Sequence, residues 1–434
     1  MALGGGTFTS YNKVLPGSYI NIVSGGNVSV QGVQGVVAMP LELDWGPVGE
    51  VFKVTAEDFE DSCLEIFGCD RSDERMKGLR DLFCGAQALY VYRVANTPQK
   101  AECDLAEALY PGTAGNTIRI TVSDSVDETG KKVVTTYVGS AKVDTQTVEE
   151  ASELKANPFV TFKTPESGLS NTEGMALTGG TNGSAVTGAE YKACLDALES
   201  YAFSVLACDT TDETIKAVFK AYTIRMNEET GAKFQCVLHD YAADCEEVIN
   251  VATDAKGDHP AALVYWVAGS QAGCQVGDSV TNAQYDGEYE MDANATQKQL
   301  RDAIQGGEFV FHIVDNEVHV LKDINSMVTT SAQKGDIFKD NKTVRIVNRI
   351  ALDVAAIFNQ KYIGIVPNDD SGRVSLWSEL VTYHQNLQQQ RAIENFAPED
   401  LTVAMGTEKG QVVITDCITV TGTMEQLYMT VVVQ

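Results

Sequence analysis

Five histidines are the side chains of this chain best suited to acid–base or metal chemistry: His239, His259, His312, His319 and His384. A two-residue turn at Asp315-Asn316 would set His312 directly opposite His319 on one face of a hairpin, with Glu317 beside them. Two imidazoles and a carboxylate are metal-ligand types. Phe309, Phe311, Ile313, Val318 and Val320 take the other face, which must be the core, so the histidine face is expected to meet water or a partner. No fourth ligand can be named, and no metal site is expected. Gly269-Ser-Gln-Ala-Gly273 places Ser270 after an apolar run but is not the Gly-x-Ser-x-Gly elbow of a hydrolase. His239-Asp240 ends an apparent strand and reads more simply as a surface cap. Gly179-Gly-Thr-Asn-Gly183 precedes a helix, yet Ser184 and Ala185 follow it where a phosphate loop carries lysine, so a connector is expected. Asn368-Asp-Asp-Ser-Gly-Arg373 clusters acids without alternating calcium ligands and reads as a solvated turn. The expectation is therefore no catalytic residue and no cofactor, with a serine-hydrolase-like α/β enzyme using Ser270 or His239 as the alternative.

The elements that would position such residues describe a multi-domain α/β protein. The chain has 434 residues, 44% hydrophobic and 21% charged, enough for several cores. Its formal net charge of −28 disfavours direct contact with nucleic acid or anionic lipid and keeps a concentrated subunit soluble. No run approaches the ~20 apolar residues of a membrane span. Met1–Ser10 lacks a basic-apolar leader pattern, and an intracellular product is expected. The ten cysteines include no Cys-x-x-Cys pair and lie mostly in apolar stretches, which reads as reduced, buried thiols.

Residues 1–26 form a Gly- and Ser-rich arm with a strand-like piece, Ser18–Val23. Residues 27–96 open the main body: a strand within 28–39, helices over 56–67 and 72–83, and a buried strand over 88–93. Thr, Val, Ser and Gly dominate 97–178, where alternating stretches predict an inserted β domain. Alternation of helix and strand follows over 179–330. Capping boxes at Thr187/Glu190 and Thr210/Glu213 start helices. Strands are expected at 203–207, 234–238 and 261–268, with a helix at 242–251 between the last two. This order predicts a parallel sheet covered by helices. Residues 331–422 carry two longer helices, near 344–358 and 376–396, and then a β-rich end with strands over 412–420. Residues 423–434 finish in a strand that is apolar on both faces.

Several quoted segments resemble, in order along nearly the whole chain, the sheath subunit of contractile phage tails, of the Gram-positive phage and tailocin type. They are Leu15-Pro-Gly-Ser-Tyr-Ile20, Leu43-Asp-Trp-Gly-Pro-Val-Gly49, Leu89-Tyr-Val-Tyr-Arg93, Asp323-Ile-Asn-Ser-Met327, Val344-Arg-Ile-Val-Asn-Arg-Ile350, Tyr362-Ile-Gly-Ile-Val-Pro-Asn-Asp-Asp370 and Ala392-Ile-Glu-Asn-Phe396. The resemblance implies an inserted β-sandwich, a central subtilisin-like α/β domain without protease activity, and a C-terminal α/β domain. It implies stacked hexameric rings around an inner tail tube, with baseplate and tail terminator proteins as further partners. It also implies terminal arms that add strands to a neighbour's sheet. The residues agree with that logic. An unpaired strand as apolar as Leu427, Tyr428, Met429, Val431, Val432 and Val433 would aggregate unless donated to another copy. Tyr19, Ile20 and Ile22 are the corresponding residues of the first arm. Residues 334–361 hold six basic and three acidic side chains, a local excess of three positive charges in an acidic chain. Lys342, Arg345 and Arg349 are therefore expected to face an acidic tube, the alternative being a solvated helix face with an Arg349–Asp353 pair.

Overall fold

The computed structural model describes residues 34–166 and 168–433. They divide into two compact units. One joins Met39–Lys77 to Ala88–Leu198; the other joins residues 34–38 and Gly78–Gln87 to residues 199–433.

In the larger unit a parallel sheet runs in the order Val248–Val251, Gln235–His239, Val205–Cys208 and the first half of Val36–Leu41. Cys236 stands beside Val248, Val205 beside Gln235, and Val37 beside Val205. Every residue of the first three strands is buried, as a sheet covered on both faces requires. Asp212 caps the helix Glu213–Arg225 by accepting from the Thr214 and Ile215 amides. The Thr210/Glu213 box expected there is thus replaced by a cap two residues later.

Two expected elements are corrected. The run 261–268 is not a strand: Pro260–Ala262 forms a 3-10 turn and Leu263–Gly273 an α-helix. An apolar run of eight residues has no period to separate strand from helix when it is buried on every side. Conversely, 242–251 is not a helix. Its last four residues, Val248–Val251, are a strand held by pairing with Gln235–His239, a long-range ladder that local pattern cannot register. The Leu263–Gly273 helix approaches residues 78–87 so closely that a Cβ on Gly269 would lie 2.1 Å from the Leu82 carbonyl oxygen. Only glycine fits there.

The hairpin Phe311–Val314 with Glu317–Val320 has the expected register, His312 opposite His319, and turns through Asp315 and Asn316 at φ 49° and 70°. Phe311 and Val320 are buried as expected, whereas Ile313 is exposed. The long helices are Asn341–Lys361 and Asp370–Gln389. Ile346, Ile350 and Val354 of the first share a core with Leu376, Leu380 and Leu387 of the second and with Leu401. Two small antiparallel pairs complete this end: Leu401–Met405 with Val412–Asp416, and Ile393–Glu394 with Thr419–Val420.

The smaller unit holds the hairpin Val51–Thr55 with Ala88–Arg93 and a four-stranded antiparallel sheet. That sheet runs Ala141–Val148, Lys132–Val138, Ile118–Asp124, Thr172–Ala176. A second pair, Ala106–Ala108 with Val160–Phe162, shares its core: Ile118, Ile120, Val122 and Val134 pack in one cluster with Ala106, Ala108 and Val160. Of the expected box at Thr187 and Glu190 one half forms: Thr187 donates to Glu190 from its amide (2.8 Å) and its hydroxyl (2.6 Å) at the start of Gly188–Leu198, while the Glu190 amide donates to the Thr187 carbonyl (3.2 Å).

Candidate assembly interface

Leu427, Tyr428, Met429, Val431, Val432 and Val433 are 70 to 90% exposed and, among the described residues, join no strand. A stretch this apolar, broken only by Thr430, is a contiguous patch that one contact can remove from water. The tail's root is fixed. Thr419–Val420 pairs with Ile393–Glu394, the Thr421 amide donates to the Ala392 carbonyl at 3.0 Å, and Lys322 meets Glu425 at 2.5 Å. Beside that root lies a cavity of about 300 Å³ whose walls include Ile324, Met327, Ile337 and Val420. Among the described residues the hairpin Leu401–Met405/Val412–Asp416 pairs with no third strand, so it offers open edges to another chain. Tyr19, Ile20 and Ile22 lie outside the described residues.

The expected basic row does not form. Lys342 is buried, and Arg345 turns inward to Asp323 at 2.9 Å, a carboxylate only 1% exposed. Around Asp323 the Gln271 amide donates at 2.7 Å, the Asn341 amide at 3.0 Å and the Val280 N–H at 3.2 Å. Arg345 also donates to the Gln271 side-chain oxygen and, at 3.1 Å, to the Asp278 carbonyl. Burial by itself pushes the Asp323 carboxyl up; the Arg345 guanidinium and these amide donors outweigh it and hold the carboxyl below its ordinary value. Arg349 donates to Asp353 at 2.7 Å, and the Tyr383 hydroxyl donates to the same oxygen at 2.9 Å. Lys334 binds Glu246, Lys339 binds Asp336, and Lys361 binds Glu379. The positive excess read along 334–361 is thus neutralised by acids distant in sequence, which no local count includes.

The residues that could have done chemistry are placed for structure. Ser270 lies within a helix and its hydroxyl donates to the Val267 carbonyl at 3.0 Å. His239 pairs with Asp254 at 2.8 Å rather than with Asp240. His259 meets Asp209 at 3.1 Å, a contact that raises its pKa against the opposing pull of burial. His319 contacts the Asn282 carbonyl through Nδ1 at 2.9 Å. Among the described residues no three His, Cys, Asp or Glu side chains are arranged to hold a metal ion. A Cβ on Gly183 would lie 2.0 Å from the Asn96 carbonyl, so that glycine loop is packed against backbone rather than open to an anion. Asp369 caps the Asp370–Gln389 helix, and the Asn368 amide donates to the Lys409 and Gln411 carbonyls; the acidic turn is a helix start. Burial pushes the Cys69 thiol up to about 11 and Cys236 up to about 12, away from reactive thiolate. The buried Asp323 network is what sequence reasoning missed. Its one local sign was Asp323-Ile-Asn325 close to the Asn341 helix start.

Among the described residues the C-terminal domain thus presents an open-edged hairpin and an exposed apolar tail, features of a structural rather than a catalytic site. Four family profiles agree. Residues 34–94 match the tail sheath protein Gp18 domain III N-terminal region, and 94–182 the phage tail sheath protein beta-sandwich domain. Residues 184–326 match the phage tail sheath protein central domain, and 333–434 the phage tail sheath C-terminal domain. The chain is 30% identical to the phage-like element PBSX protein XkdK of Bacillus subtilis, across 99% of each chain. Its structure resembles the sheath tail protein of Desulfitobacterium hafniense, at 32% identity and TM-score 0.82, covering 95% of this chain and 99% of that one. The fold extends to the anti-feeding prophage helical sheath in its contracted state, at 12% identity and TM-score 0.55, covering 98% and 99%. This chain belongs to the phage tail sheath family. Its relatives are structural sheath proteins, and among the described residues no helix is long and apolar enough to cross a membrane.

Proposed function

We propose that this protein polymerises as stacked hexameric rings around an inner tail tube and contracts to drive that tube through a cell envelope. One observation supports the reading: a folded C-terminal domain ends in an exposed apolar segment, Leu427–Val433, with no partner strand among the described residues. Donated to the open hairpin edge of a second copy, the segment gains backbone hydrogen bonds of about 0.5–1.5 kcal/mol each and buries its valines. Residues 1–26, with Tyr19, Ile20 and Ile22, act as the second exchange arm, and 423–434 as the first described here. Between the arms the layout is a body at 27–96, an inserted β-sandwich at 97–178, a subtilisin-like central domain at 179–330 and a sheath domain at 331–422.

Contraction needs no nucleotide in this scheme. Subunits slide as rigid bodies while exchanged strands keep the mesh connected, and the extended lattice releases stored energy. Assembly takes place in the bacterial cytoplasm, with baseplate and terminator proteins at the two ends. The helix Asn341–Lys361 remains the tube-facing element, through its outer surface rather than through Lys342 and Arg345, whose side chains serve the interior. Negative-stain microscopy of purified full-length protein tests the proposal. Cylinders or six-fold rings are expected, and a protein that stays monomeric at every concentration and with tube protein added sinks it.

A further inference from the structure

His384 and Asp416 are both 0% exposed, and their nearest atoms, Nε2 and Oδ2, stand 2.8 Å apart. His384 lies in the Asp370–Gln389 helix, and Asp416 is the last residue of the Val412–Asp416 strand. The other imidazole nitrogen, Nδ1, is 2.8 Å from the Leu380 carbonyl oxygen. A carbonyl only accepts, so Nδ1 carries a hydrogen. In neutral imidazole Nε2 is then a bare lone pair, and it faces a carboxylate. Two acceptors at 2.8 Å in a dry site repel each other unless a proton lies between them.

The surroundings supply no substitute. Among the described residues neither Asp416 oxygen receives a hydrogen bond from any group other than His384. Phe396 stacks on the imidazole at 4.9 Å and Tyr383 meets it edge-on at 5.4 Å. The Tyr383 hydroxyl is turned away to Asp353. Among the described residues the other charged group acting on Asp416 is Asp400, whose carboxylate accepts from the Ala397 amide and adds negative charge. A buried carboxylate with no donor and a like charge nearby is strongly disfavoured in its ionised, unpaired form.

We propose that the C-terminal domain folds around one obligatory proton held between His384 and Asp416, a proton-linked clasp joining the long helix to the strand that precedes the tail. Whether the proton rests on nitrogen or on oxygen, the folded pair holds one. Burial first of all raises the Asp416 carboxyl, which agrees with proton retention. The unfolded pair holds one proton between the ordinary aspartate and histidine values of about 3.9 and 6.5, and none above the latter. Stability therefore stays level across that window and falls as pH rises beyond about 6.5. The loss is tenfold in the folding constant per pH unit until the folded pair releases its proton. The clasp sits three residues before Thr419–Val420, from which the tail departs, so alkaline loosening acts at the root of the tail.

The test compares full-length wild type with Asp416→Asn. The asparagine amide donates to neutral Nε2, so the variant needs no proton. Melting from pH 5 to 9 should show wild type losing stability relative to the variant across the whole range, tenfold per unit in the folding constant: below about 6.5 because only the unfolded variant gains a proton on its histidine, and above it because only the unfolded wild type sheds one. A constant difference across that range overturns the proposal. A second measurement serves if the variant does not fold. In wild type at pH 8, nitrogen- and carboxyl-labelled spectra should show either an imidazolium at His384 or a carboxylic acid at Asp416. A neutral imidazole beside an ionised carboxylate overturns it.

Discussion

The tail 423–433 and the helix Asn341–Lys361 invert the usual rule of inside and outside. The tail is among the most apolar stretches of the chain and lies in water; the helix carries four basic side chains and turns Lys342 and Arg345 inward. Both belong to the same compact unit. What separates them is where their partners reside. Arg345 finds Asp323, Gln271 and Asn341 within its own chain. The valines of the tail find nothing among the described residues, which is intelligible if their partner is another copy. Burial in an isolated subunit therefore reports self-sufficiency, and the exceptions mark what assembly must complete.

The largest effect that could break this contrast is removal of the tail. Deleting residues 424–434 should leave a soluble, folded protein and abolish polymerisation outright. Ordered cylinders in micrographs of that variant would show that the tail is dispensable. Next comes Arg345→Ala, which strands the Asp323 charge in the interior and should cost about 3–5 kcal/mol in denaturant unfolding. A double change, Arg345→Met with Asp323→Leu, should recover most of that loss, since it removes both charges together. Val432→Asp sharpens the comparison from the other side. It should leave the melting temperature of the subunit unchanged while blocking assembly, because the side chain is exposed until a second copy covers it.

Acid should act on the helix before it acts on the tail. The Asp323 carboxyl is held below its ordinary value, so its contribution is fully present above about pH 3.9 and is lost as pH falls through the folded value. The network around Arg345 should accordingly loosen only in strong acid, followed by near-ultraviolet circular dichroism. Glu425→Gln is the smallest perturbation. It removes the partly exposed bridge to Lys322 at the tail's root, and should change subunit stability by less than about 1 kcal/mol.

Much of this was legible in the residues. The Asp315-Asn316 turn and the flanking alternation placed His312 opposite His319, since a two-residue loop leaves one register. Thr187 with Glu190 marked a helix start because the glutamate carboxylate accepts from the Thr187 amide and hydroxyl locally. The strand at 261–268 and the helix at 242–251 failed for one reason. Val264 and Val267 are buried on a helix with no polar face, while Val248 and Ile249 are strand only because Cys236 and Val237 lie alongside. The basic row at Lys342, Arg345 and Arg349 was read from charge counted along the chain; Arg345 instead meets Asp323, 22 residues away, while Arg349 takes the Asp353 partner that the local spacing had offered.

By itself, the sequence determined the family, the turns, the caps and the surplus of apolar residues at its C-terminal end, because each is set by neighbours a few positions apart. Only the tertiary structure decided which side chains were already satisfied: Arg345 by Asp323, His384 by Asp416, Gly269 by the Leu82 backbone. Those pairings join residues far apart in the chain, and a side chain's need for charge or for an apolar surface says nothing about which distant segment will meet it.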